Sequence, residues 1–475
     1  MTGVLRWRTV RWVIAAAALP AIWACNTPPI APPTPAPERT VEQVFQAAVN
    51  RDIDILFMVD NSPSMIPLQA KLATNFPVFM NVLSGLPGGL PNVHIAVVSS
   101  DLGSGPTAPT TQCRVGGDGG EFQVMPRGAC TSGLMPQDHF FTYMNGTANY
   151  TGDIAKNFGC IAQLGANGCG FEHQFASYLK ALEPGAPAGN ANFLRTNAYL
   201  SIILITNEDD CSAPPDSDLF NTSSQMVSDP LGPLASYRCN EFGHLCMGKK
   251  PPRTPAVLTG CTSAEDGRLL KVSDVVSRTA ALKGGDMTKI LVAAVTGPET
   301  PYEVILQPGT TATGVMEQQP NIKHSCMAND GTYADPSVRI KMWVDAFKGT
   351  FVSICADTFE PALTQIATAI GKAIGPQCVE GNLVDTDPNM AGVQPDCVVT
   401  DVTTDASGKK VETLIPSCAV NGNMMPCWQA DVGSATCRNN ATLVKVNRAG
   451  AMPSNLNTNV QCAVCIPGTA TKGCK

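Results

Sequence analysis

Two serine hydroxyls and a carboxylate follow the first strongly apolar segment of the chain. Residues 54–59 read Asp-Ile-Leu-Phe-Met-Val and predict a buried strand, and Asp60, Ser62 and Ser64 come directly after it. Such a loop lies at the carboxyl edge of a parallel sheet, where ligands bind. Oxygen-only donors suit a hard divalent cation, Mg²⁺ first, with Mn²⁺ or Ca²⁺ as alternatives. Because Ser and Asp are also good helix N-caps, capping alone is the competing interpretation.

The elements that must position this loop alternate between strands and helices as far as residue 377. Strands that are apolar throughout, separated by helices, predict an α/β fold with a central, mostly parallel sheet covered by helices on both faces. The predicted strands are 54–59, 93–99, 201–206, 290–295 and 350–355, and the predicted helices are 68–83, 171–182, 272–282, 340–348 and 359–374.

In this context Asp60-x-Ser62-x-Ser64 resembles the metal-ion-dependent adhesion site of von Willebrand factor type A (vWA) domains, and the resemblance covers about residues 50–377. It implies the vWA fold for this part of the chain, a Rossmann-like sheet with helices on both sides. In that family the bound ion keeps one coordination position open, and an acidic side chain of a protein partner fills it. The resemblance therefore implies a divalent-cation-dependent binding module that performs no covalent chemistry.

One loop departs from the vWA pattern before the predicted helix 171–182. The family usually has a Thr ligand there, whereas this chain reads Gly-Cys-Gly-Phe-Glu over residues 168–172. Glu172 is the candidate replacement, since a hard cation accepts either oxygen donor. Its other interpretation is a negative charge that favours the helix N-terminus.

A second departure follows the predicted central strand. The family usually reads Thr-Asp-Gly, and here Thr206-Asn207 leads into Glu208, Asp209 and Asp210. Asn207 is an uncharged candidate ligand, and we expect Asp209 or Asp210 to compensate for the missing charge. A solvated turn is the alternative for this acidic run. The segments 168–172 and 205–212 look like those of a lipoprotein branch of bacterial vWA proteins.

The N-terminus predicts export. Three arginines precede a short apolar stretch at 13–21, which predicts a signal peptide over residues 1–24. Ile-Trp-Ala-Cys at 22–25 resembles the bacterial lipobox, in which Cys25 becomes the lipidated first residue. A cut after Ala24 without lipidation is the alternative. Residues 25–49, Pro-rich over 26–38, predict an extended tether to the membrane. We expect a protein anchored in the outer membrane or on the cell surface.

Cysteine usage supports an oxidising compartment. Of 19 Cys, 18 remain after Cys25, enough for nine disulfides. Eight of them lie in two Gly- and Pro-rich insertions of the vWA-like domain 50–377, about 103–169 and 211–261, and eight more lie in a predicted β-rich module, 378–475. We expect an oxidised bridge for Cys462-x-x-Cys465 rather than zinc, and a surface position for His173.

Composition narrows the classes of function. A net charge of -7 with no basic segment argues against nucleic-acid binding. The sequence does not show a nucleophile, a base and an orienting group that could form a catalytic site, so we do not predict an enzyme. The preferred hypothesis is a non-catalytic adhesion or assembly module of the cell envelope. The alternatives are an envelope hydrolase or carbohydrate-processing protein that uses the acidic cluster 208–210, and a metal-free spacer in which Asn207 marks a decayed site.

Overall fold

The structure is a computed structural model that describes most of the chain. The described residues are 40–46, 51–86, 89–105, 113–126, 130–311, 314–374, 378–379, 381–404, 410–434, 437, 441–449, 456–465 and 473–474. The predicted signal peptide, Cys25 and the Pro-rich stretch lie outside these residues.

Strands and helices alternate through the first part of the chain, and strands alone follow it. The strands are β1 (Thr40–Gln46), β2 (Asp52–Val59), β3 (Asn92–Ser99), β4 (Phe141–Met144), β5 (Thr147–Ala148), β6 (Tyr199–Ile205), β7 (His244–Cys246), β8 (Ala256–Leu258), β9 (Cys261–Ser263), β10 (Ile290–Thr296), β11 (Tyr302–Thr310), β12 (Met316–Lys323), β13 (Cys326–Met327), β14 (Tyr333–Ala334), β15 (Thr350–Ser353), β16 (Cys378–Val379), β17 (Cys397–Thr404), β18 (Lys410–Ile415), β19 (Cys427–Asp431), β20 (Thr442–Asn447) and β21 (Leu456–Ala463). The helices are α1 (Ile66–Ser84), α2 (Ile154–Ala162), α3 (Gln174–Leu182), α4 (Tyr237–Gly243), α5 (Val272–Ala281), α6 (Val338–Ala346) and α7 (Glu360–Ile374).

A seven-stranded central sheet has the order β15-β10-β6-β2-β3-β4-β5. The five strands from β15 to β3 run parallel, and β4 and β5 are antiparallel additions at one edge. The expected α/β domain with a mostly parallel sheet is therefore confirmed. Predicted and observed ends agree to within a few residues; the largest shift is at α3, which begins at Gln174 rather than at 171.

Alternate residues of β2 serve the two faces of this sheet. Phe57 and its neighbours two residues away pack in one apolar cluster with α1, α2 and α7. Leu56 and Met58 pack in a second cluster with α3, α5 and α6. Every residue from Ile53 to Val59 is buried, which explains why this strand is apolar without alternation.

Both insertions are closed by disulfides of their own. Cys113–Cys169 and Cys130–Cys160 lie within the first insertion, and Cys211–Cys239 and Cys246–Cys261 lie within the second. A fifth bridge, Cys326–Cys355, joins two later segments of the α/β domain. These loops have few regular elements of their own, so the bridges limit the conformations they can take.

The remaining four disulfides lie within the C-terminal Cys-rich region: Cys378–Cys437, Cys397–Cys462, Cys418–Cys427 and Cys465–Cys474. The expected total of nine bridges is confirmed. The expected link between Cys462 and Cys465 is wrong, because Cys462 lies in β21 opposite Cys397 of the neighbouring strand and bonds to it.

The C-terminal β-rich region contains a strand from the N-terminal side of the α/β domain. Its four-stranded sheet has the order β1-β21-β17-β18, and β1 pairs antiparallel with β21 from Thr40↔Ala463 to Gln46↔Asn457. The tether predicted for 25–49 therefore contains a paired strand over residues 40–46. A second sheet, β16-β20-β19, completes the region.

Among the described residues, none of the helices combines the length and the hydropathy that crossing a bilayer requires.

A buried charged cluster lies near the start of β2. Arg195 Nε donates to Asp54 Oδ1 at 2.7 Å, and Lys283 Nζ donates to the Arg195 carbonyl at 2.7 Å and lies 3.6 Å from Asp54 Oδ2. Burial lowers the pKa of Lys283 to about 8, against the opposing effect of Asp54.

This shift predicts a pH dependence of stability. Lys283 titrates at about 8 in the folded chain and at its ordinary value of 10.5 when unfolded. The unfolded state therefore binds more protons between these values, and the free energy of unfolding should rise by about 1–3 kcal/mol as the pH increases from 8 to 10.5. Denaturant titrations should show that Lys283→Met removes this rise and that exposed Lys372→Met keeps it. A parent-minus-Lys283→Met difference that is constant over this window would contradict the prediction.

Candidate metal centre

The parallel ladder brings the ends of two strands side by side. The amide of Asp60 donates to the carbonyl of Ile205 at 2.9 Å, and the amide of Thr206 donates to that of Val295 at 3.2 Å. The chain runs from β2 to β3 on one side and later to β6 on the other. The loop after β2 therefore lies at the topological switch point of the sheet, where α/β proteins bind ligands.

Asp60 is fully buried and is held by hydrogen bonds on both oxygens. Oδ1 accepts from the amide of Ser62 at 2.8 Å and from the hydroxyl of Ser100 at 3.4 Å. Oδ2 accepts from the hydroxyl of Thr206 at 2.7 Å. Burial raises the pKa of Asp60, and the hydrogen bonds from Ser62 and Thr206 act against that rise. The carboxylate has a fixed orientation as a result.

Ser62, Ser64 and Asn207 present three neutral oxygens to one another. Ser62 Oγ lies 3.3 Å from Ser64 Oγ, which donates to Asn207 Oδ1 at 3.2 Å. Asn207 Nδ2 donates to the carbonyl of Tyr333 at 3.3 Å, so this amide turns its oxygen towards the serines. Asn207 follows Ser64 by 143 residues in the sequence, yet its side-chain oxygen lies next to those of the two serines.

The hydroxyls of these serines are not used for helix capping. Ser62 precedes a 3₁₀ turn, Pro63–Met65, and makes no side-chain capping hydrogen bond. Helix α1 begins after Met65, again without a side-chain cap. The capping interpretation of the motif therefore has no support in the hydrogen bonds of this loop.

Glu172 and Glu208 form a carboxyl pair beside Asp60. Their side chains are hydrogen-bonded to each other, and Glu172 is 2% exposed. Burial, then Glu208 and Asp60, raise the pKa of Glu172 well above its usual range. Burial, then Asp335 and Asp60, raise the pKa of Glu208 to about 8. Because burial and neighbouring carboxylates raise both pKa values, the two groups hold protons more tightly than exposed glutamates do when no cation is present.

One oxygen of this pair has no partner. Glu172 Oε1 is buried and makes no hydrogen bond to any described residue. A small cavity with room for about one water molecule lies against Glu172, Glu208 and Asp335. The charged side chains with the largest effects on Glu172 and Glu208 are all carboxylates. An orphaned buried oxygen surrounded by negative charge fits a cation.

The described residues contain no group of three or more His, Cys, Asp or Glu side chains placed to hold a metal ion. The candidate donors at the end of β2 are of another kind, because only Asp60 carries a charge and the others are two hydroxyls and one amide. Such a neutral-rich oxygen set suits Mg²⁺, which keeps several of its waters.

The carboxylate of Asp209 has a structural role. Its carboxylate accepts hydrogen bonds from the amides of Val338, Arg339 and Ile340 at 2.7–3.0 Å and from His244 Nε2 at 2.8 Å. Burial alone would raise the pKa of Asp209, but the bonds from His244 and these amides outweigh it and hold the pKa below its usual value. The candidate ligand Asp209 thus faces the start of α6 rather than the serines.

Asp210 is also fully engaged. It pairs with the buried guanidinium of Arg339, with Nη2 to Oδ2 at 3.1 Å, and accepts from the amide of Phe175 at 2.9 Å and the hydroxyl of Ser212 at 2.5 Å. The acidic run 208–210 is therefore neither a solvated turn nor a set of three equivalent acids. Of the three, Glu208 is the one whose pKa is raised by Asp60.

The loop that carries Glu172 is fixed against the loop after β2. Gly168 donates its amide to the carbonyl of Asn61 at 2.9 Å, and a Cβ at this position would lie 2.2 Å from Asn61 Oδ1. Only glycine fits there. The Cys113–Cys169 bridge follows at the next residue, and the carbonyl of Glu172 accepts from the amide of Cys211 at 2.8 Å.

His173 differs from the expectation of a surface position. It is 5% exposed, and its Nε2 lies 2.9 Å from the carbonyl of Gly103. Burial lowers the pKa of His173 to about 4, with the Gly103 bond acting in the opposite direction. The prediction was wrong because loop 100–105 covers the start of α3, which the sequence pattern did not indicate.

Three contributors to the site were not among the candidates from the sequence. Ser100 follows β3 and reaches Asp60, and Asp335 donates its amide to the carbonyl of Asn207 at 2.8 Å. Asp118 accepts from Ser99 Oγ at 2.7 Å and from Asn61 Nδ2 at 3.3 Å. Ser100 was identifiable in principle, since it stands at the end of a predicted neighbouring strand; Asp118 and Asp335 lie in segments without periodicity.

No protein-family model matches the chain, and no curated protein matches its sequence. Among solved structures, similarity is found to the pilus adhesin SpaC of Lactobacillus rhamnosus GG in its open conformation, with 12% identity, a TM-score of 0.31 and coverage of 91% of this chain and 41% of that one. The human COPII-coat protein Sec24c matches with 9% identity, a TM-score of 0.29 and coverage of 89% of this chain and 46% of that one. This chain therefore spans less than half the length of either structure.

The role of Asp209 gives a stability prediction. Replacement by alanine leaves three buried amides and His244 without their acceptor, so Asp209→Ala should lower the free energy of unfolding by about 3–5 kcal/mol. Glu208→Gln, the adjacent control, should change it by less than about 1 kcal/mol, because it removes one of two mutually repelling acids. Chemical denaturation measures both values. An Asp209→Ala protein as stable as the parent would show that Asp209 does not hold α6.

Proposed function

We propose that the α/β domain is a vWA-type, cation-dependent binding module for a protein partner. Asp60, Ser62, Ser64 and Asn207 would hold a divalent cation, Mg²⁺ first and Mn²⁺ or Ca²⁺ as alternatives, with Glu172 as a further donor. The ion would supply a Lewis-acidic position open to an acidic side chain of the partner. The domain's own residues fix the oxygen donors and perform no covalent step.

The observation that carries this proposal is the meeting of the Ser62, Ser64 and Asn207 oxygens beside the buried carboxylate of Asp60. These residues come from two strand ends that are far apart in the sequence. The Glu172–Glu208 pair adds buried negative charge whose strongest charged neighbours are also carboxylates. A bound divalent ion would neutralise it and would make the domain attract a partner's carboxylate.

A hydrolase that uses residues 208–210 is less well supported. Paired catalytic carboxyls of glycoside hydrolases stand about 5–9.5 Å apart, with substrate or water between them. Glu208 is instead in direct hydrogen-bonding contact with Glu172, and Asp209 and Asp210 are engaged by α6, His244 and Arg339. A metal-free spacer would give no reason for the unpartnered oxygen of Glu172.

We place this module in the bacterial cell envelope. Nine disulfides are typical of an exported protein. Lipidation of Cys25 would anchor it, and the Pro-rich segment 26–38 would separate the folded part from the membrane.

Calorimetric titration with Mg²⁺ and Mn²⁺ tests the cation. The parent should bind one ion with micromolar-to-millimolar affinity. Asp60→Ala should abolish the signal and Ser64→Ala should weaken it, because each removes an oxygen donor. Asn207→Asp should tighten Mg²⁺ binding by about tenfold, since the new ligand is charged. Asp345→Ala, an exposed carboxylate on α6 paired with Lys341, is the matched control and should behave as the parent. Identical traces for the parent and Asp60→Ala would show that Asp60 binds no cation and would contradict the proposal.

Mass spectrometry of the mature protein from a Gram-negative host tests the anchor. The N-terminal peptide should begin at Cys25 and carry a covalent lipid, and Cys25→Ala should release the protein from the membrane fraction. An unmodified N-terminus that begins at residue 25 would refute lipidation and leave export intact.

A further inference from the structure

We propose that the disulfide-closed loop Cys418–Cys427 of the C-terminal region inserts its apolar tip into the interface of a lipid bilayer. Three large apolar side chains of this loop are exposed: Val420 by 86%, Met424 by 66% and Met425 by 54%. Single exposed apolar residues are common on protein surfaces, but here three lie within a short stretch of one loop. Residues 416–430 contain no charged side chain, so the loop offers a partner only apolar surface and neutral polar groups.

The base of this loop is fixed in the folded region, whereas its tip is exposed. Cys418 and Cys427 are buried and bonded to each other, and the amide of Cys418 donates to the carbonyl of Trp428 at 2.8 Å. Trp428 packs in the apolar cluster of the C-terminal region. Within the loop, the amide of Asn423 donates to the carbonyl of Cys418 at 3.0 Å. A preformed loop of this kind loses little conformational freedom when it binds.

The strand register places this loop at the end of the sheet where the chain enters it from the N-terminal side. β1 begins at Thr40, and β18 ends at Ile415. Through the pairs that β21 and β17 make between them, these two residues lie at the same end of the four-stranded sheet. β1 and β18 are the outer strands of that sheet, so three strand spacings, about 14 Å, separate them. The loop begins at Cys418, directly after this end of β18.

The proposed anchor favours a bilayer as the partner. With a lipid on Cys25, residues 26–39 would link the membrane to Thr40 and could reach at most about 50 Å. The end of the sheet that β1 enters is then held near the membrane, and the loop leaves from this same end. Three side chains give a reversible contact, which adds to a lipid anchor and does not replace it. The inference goes beyond the proposed cation site, and its choice of partner rests on the proposed lipid anchor.

Partitioning of the full-length Cys25→Ala protein, purified after export, onto phosphatidylcholine vesicles tests this inference without the lipid. The protein should co-sediment with vesicles at millimolar lipid, because insertion removes the apolar tip from water. Combined Val420→Ser, Met424→Ser and Met425→Ser should weaken partitioning at least about tenfold. High salt should leave partitioning of the Cys25→Ala protein undiminished, since the loop carries no charge to be screened.

A matched control changes the same residue types at similarly exposed positions of the α/β domain. It combines Val257→Ser, Met316→Ser and Met327→Ser. This variant should partition as the unsubstituted Cys25→Ala protein does, because it leaves the loop intact.

A tryptophan at the tip reports insertion directly. In Val420→Trp, the emission should shift to shorter wavelengths on vesicles and should be quenched by brominated lipid, whereas Val257→Trp should respond to neither. Trp343 and Trp428, the tryptophans that follow Cys25 in the sequence, are buried and give a constant background.

Failure of the Cys25→Ala protein to partition at millimolar lipid would overturn the inference, and so would unchanged partitioning of the loop variant. A dimer that forms without vesicles and is lost in the loop variant would identify a second copy of the chain as the occupant and would also overturn it. Thermal unfolding checks each fold; if the loop variant is unfolded, the emission of Val420→Trp decides. Because the assay uses Cys25→Ala and needs no Mg²⁺, its outcome is separate from those of the lipidation and cation tests.

Discussion

Buried negative charge at the carboxyl edge of the central sheet is the constraint on which the rest of the structure depends. Asp60, Glu172 and Glu208 come within interaction distance of one another, and Asp335 adds to the field. A cluster of this kind is costly unless protons or a cation neutralise it. The buried guanidinium of Arg339 is paired with Asp210. Bound protons would relieve this cost, and so would the divalent ion proposed above.

The loops that hold these acids depend on covalent bridges and local hydrogen bonds rather than on packing alone. Asp60 and Asn207 are placed by the parallel ladder, but Glu172 lies in the short segment between Cys169 and α3, directly after the first insertion. The Cys113–Cys169 bridge ends three residues before Glu172, and the amide of Cys211, which is itself bonded to Cys239, donates to the Glu172 carbonyl. The disulfides thus contribute to the geometry of the site as well as to the stability of an exported chain.

Much of the sheet was predictable from the sequence, because β2, β3, β6 and β10 are short apolar runs with turn residues on each side. The motif after β2 was expected at the carboxyl edge of the sheet for the same reason, since it directly follows a buried parallel strand. What these predictions share is that each depends on residues close together in the chain.

The parts that were missed depend on contacts between distant segments. Cysteine spacing does not determine pairing, so the partners of Cys462 and Cys465 had to come from the strand register. The pairing of β1 with β21 joins segments about four hundred residues apart. Asp209 was a candidate ligand because the sequence of the acidic run 208–210 does not show which way each side chain points. The hydrogen bonds from the start of α6, 130 residues later in the chain, show the orientation of its carboxylate.

Diffraction from crystals soaked in Mn²⁺ and measured at the manganese absorption edge tests the central claim most directly. The account predicts one anomalous peak bounded by the side-chain oxygens of Ser62, Ser64 and Asn207 and adjacent to Asp60, and its loss in crystals of Asp60→Ala. A fully soaked crystal with no peak at this position, or with a peak that persists in Asp60→Ala, would contradict it.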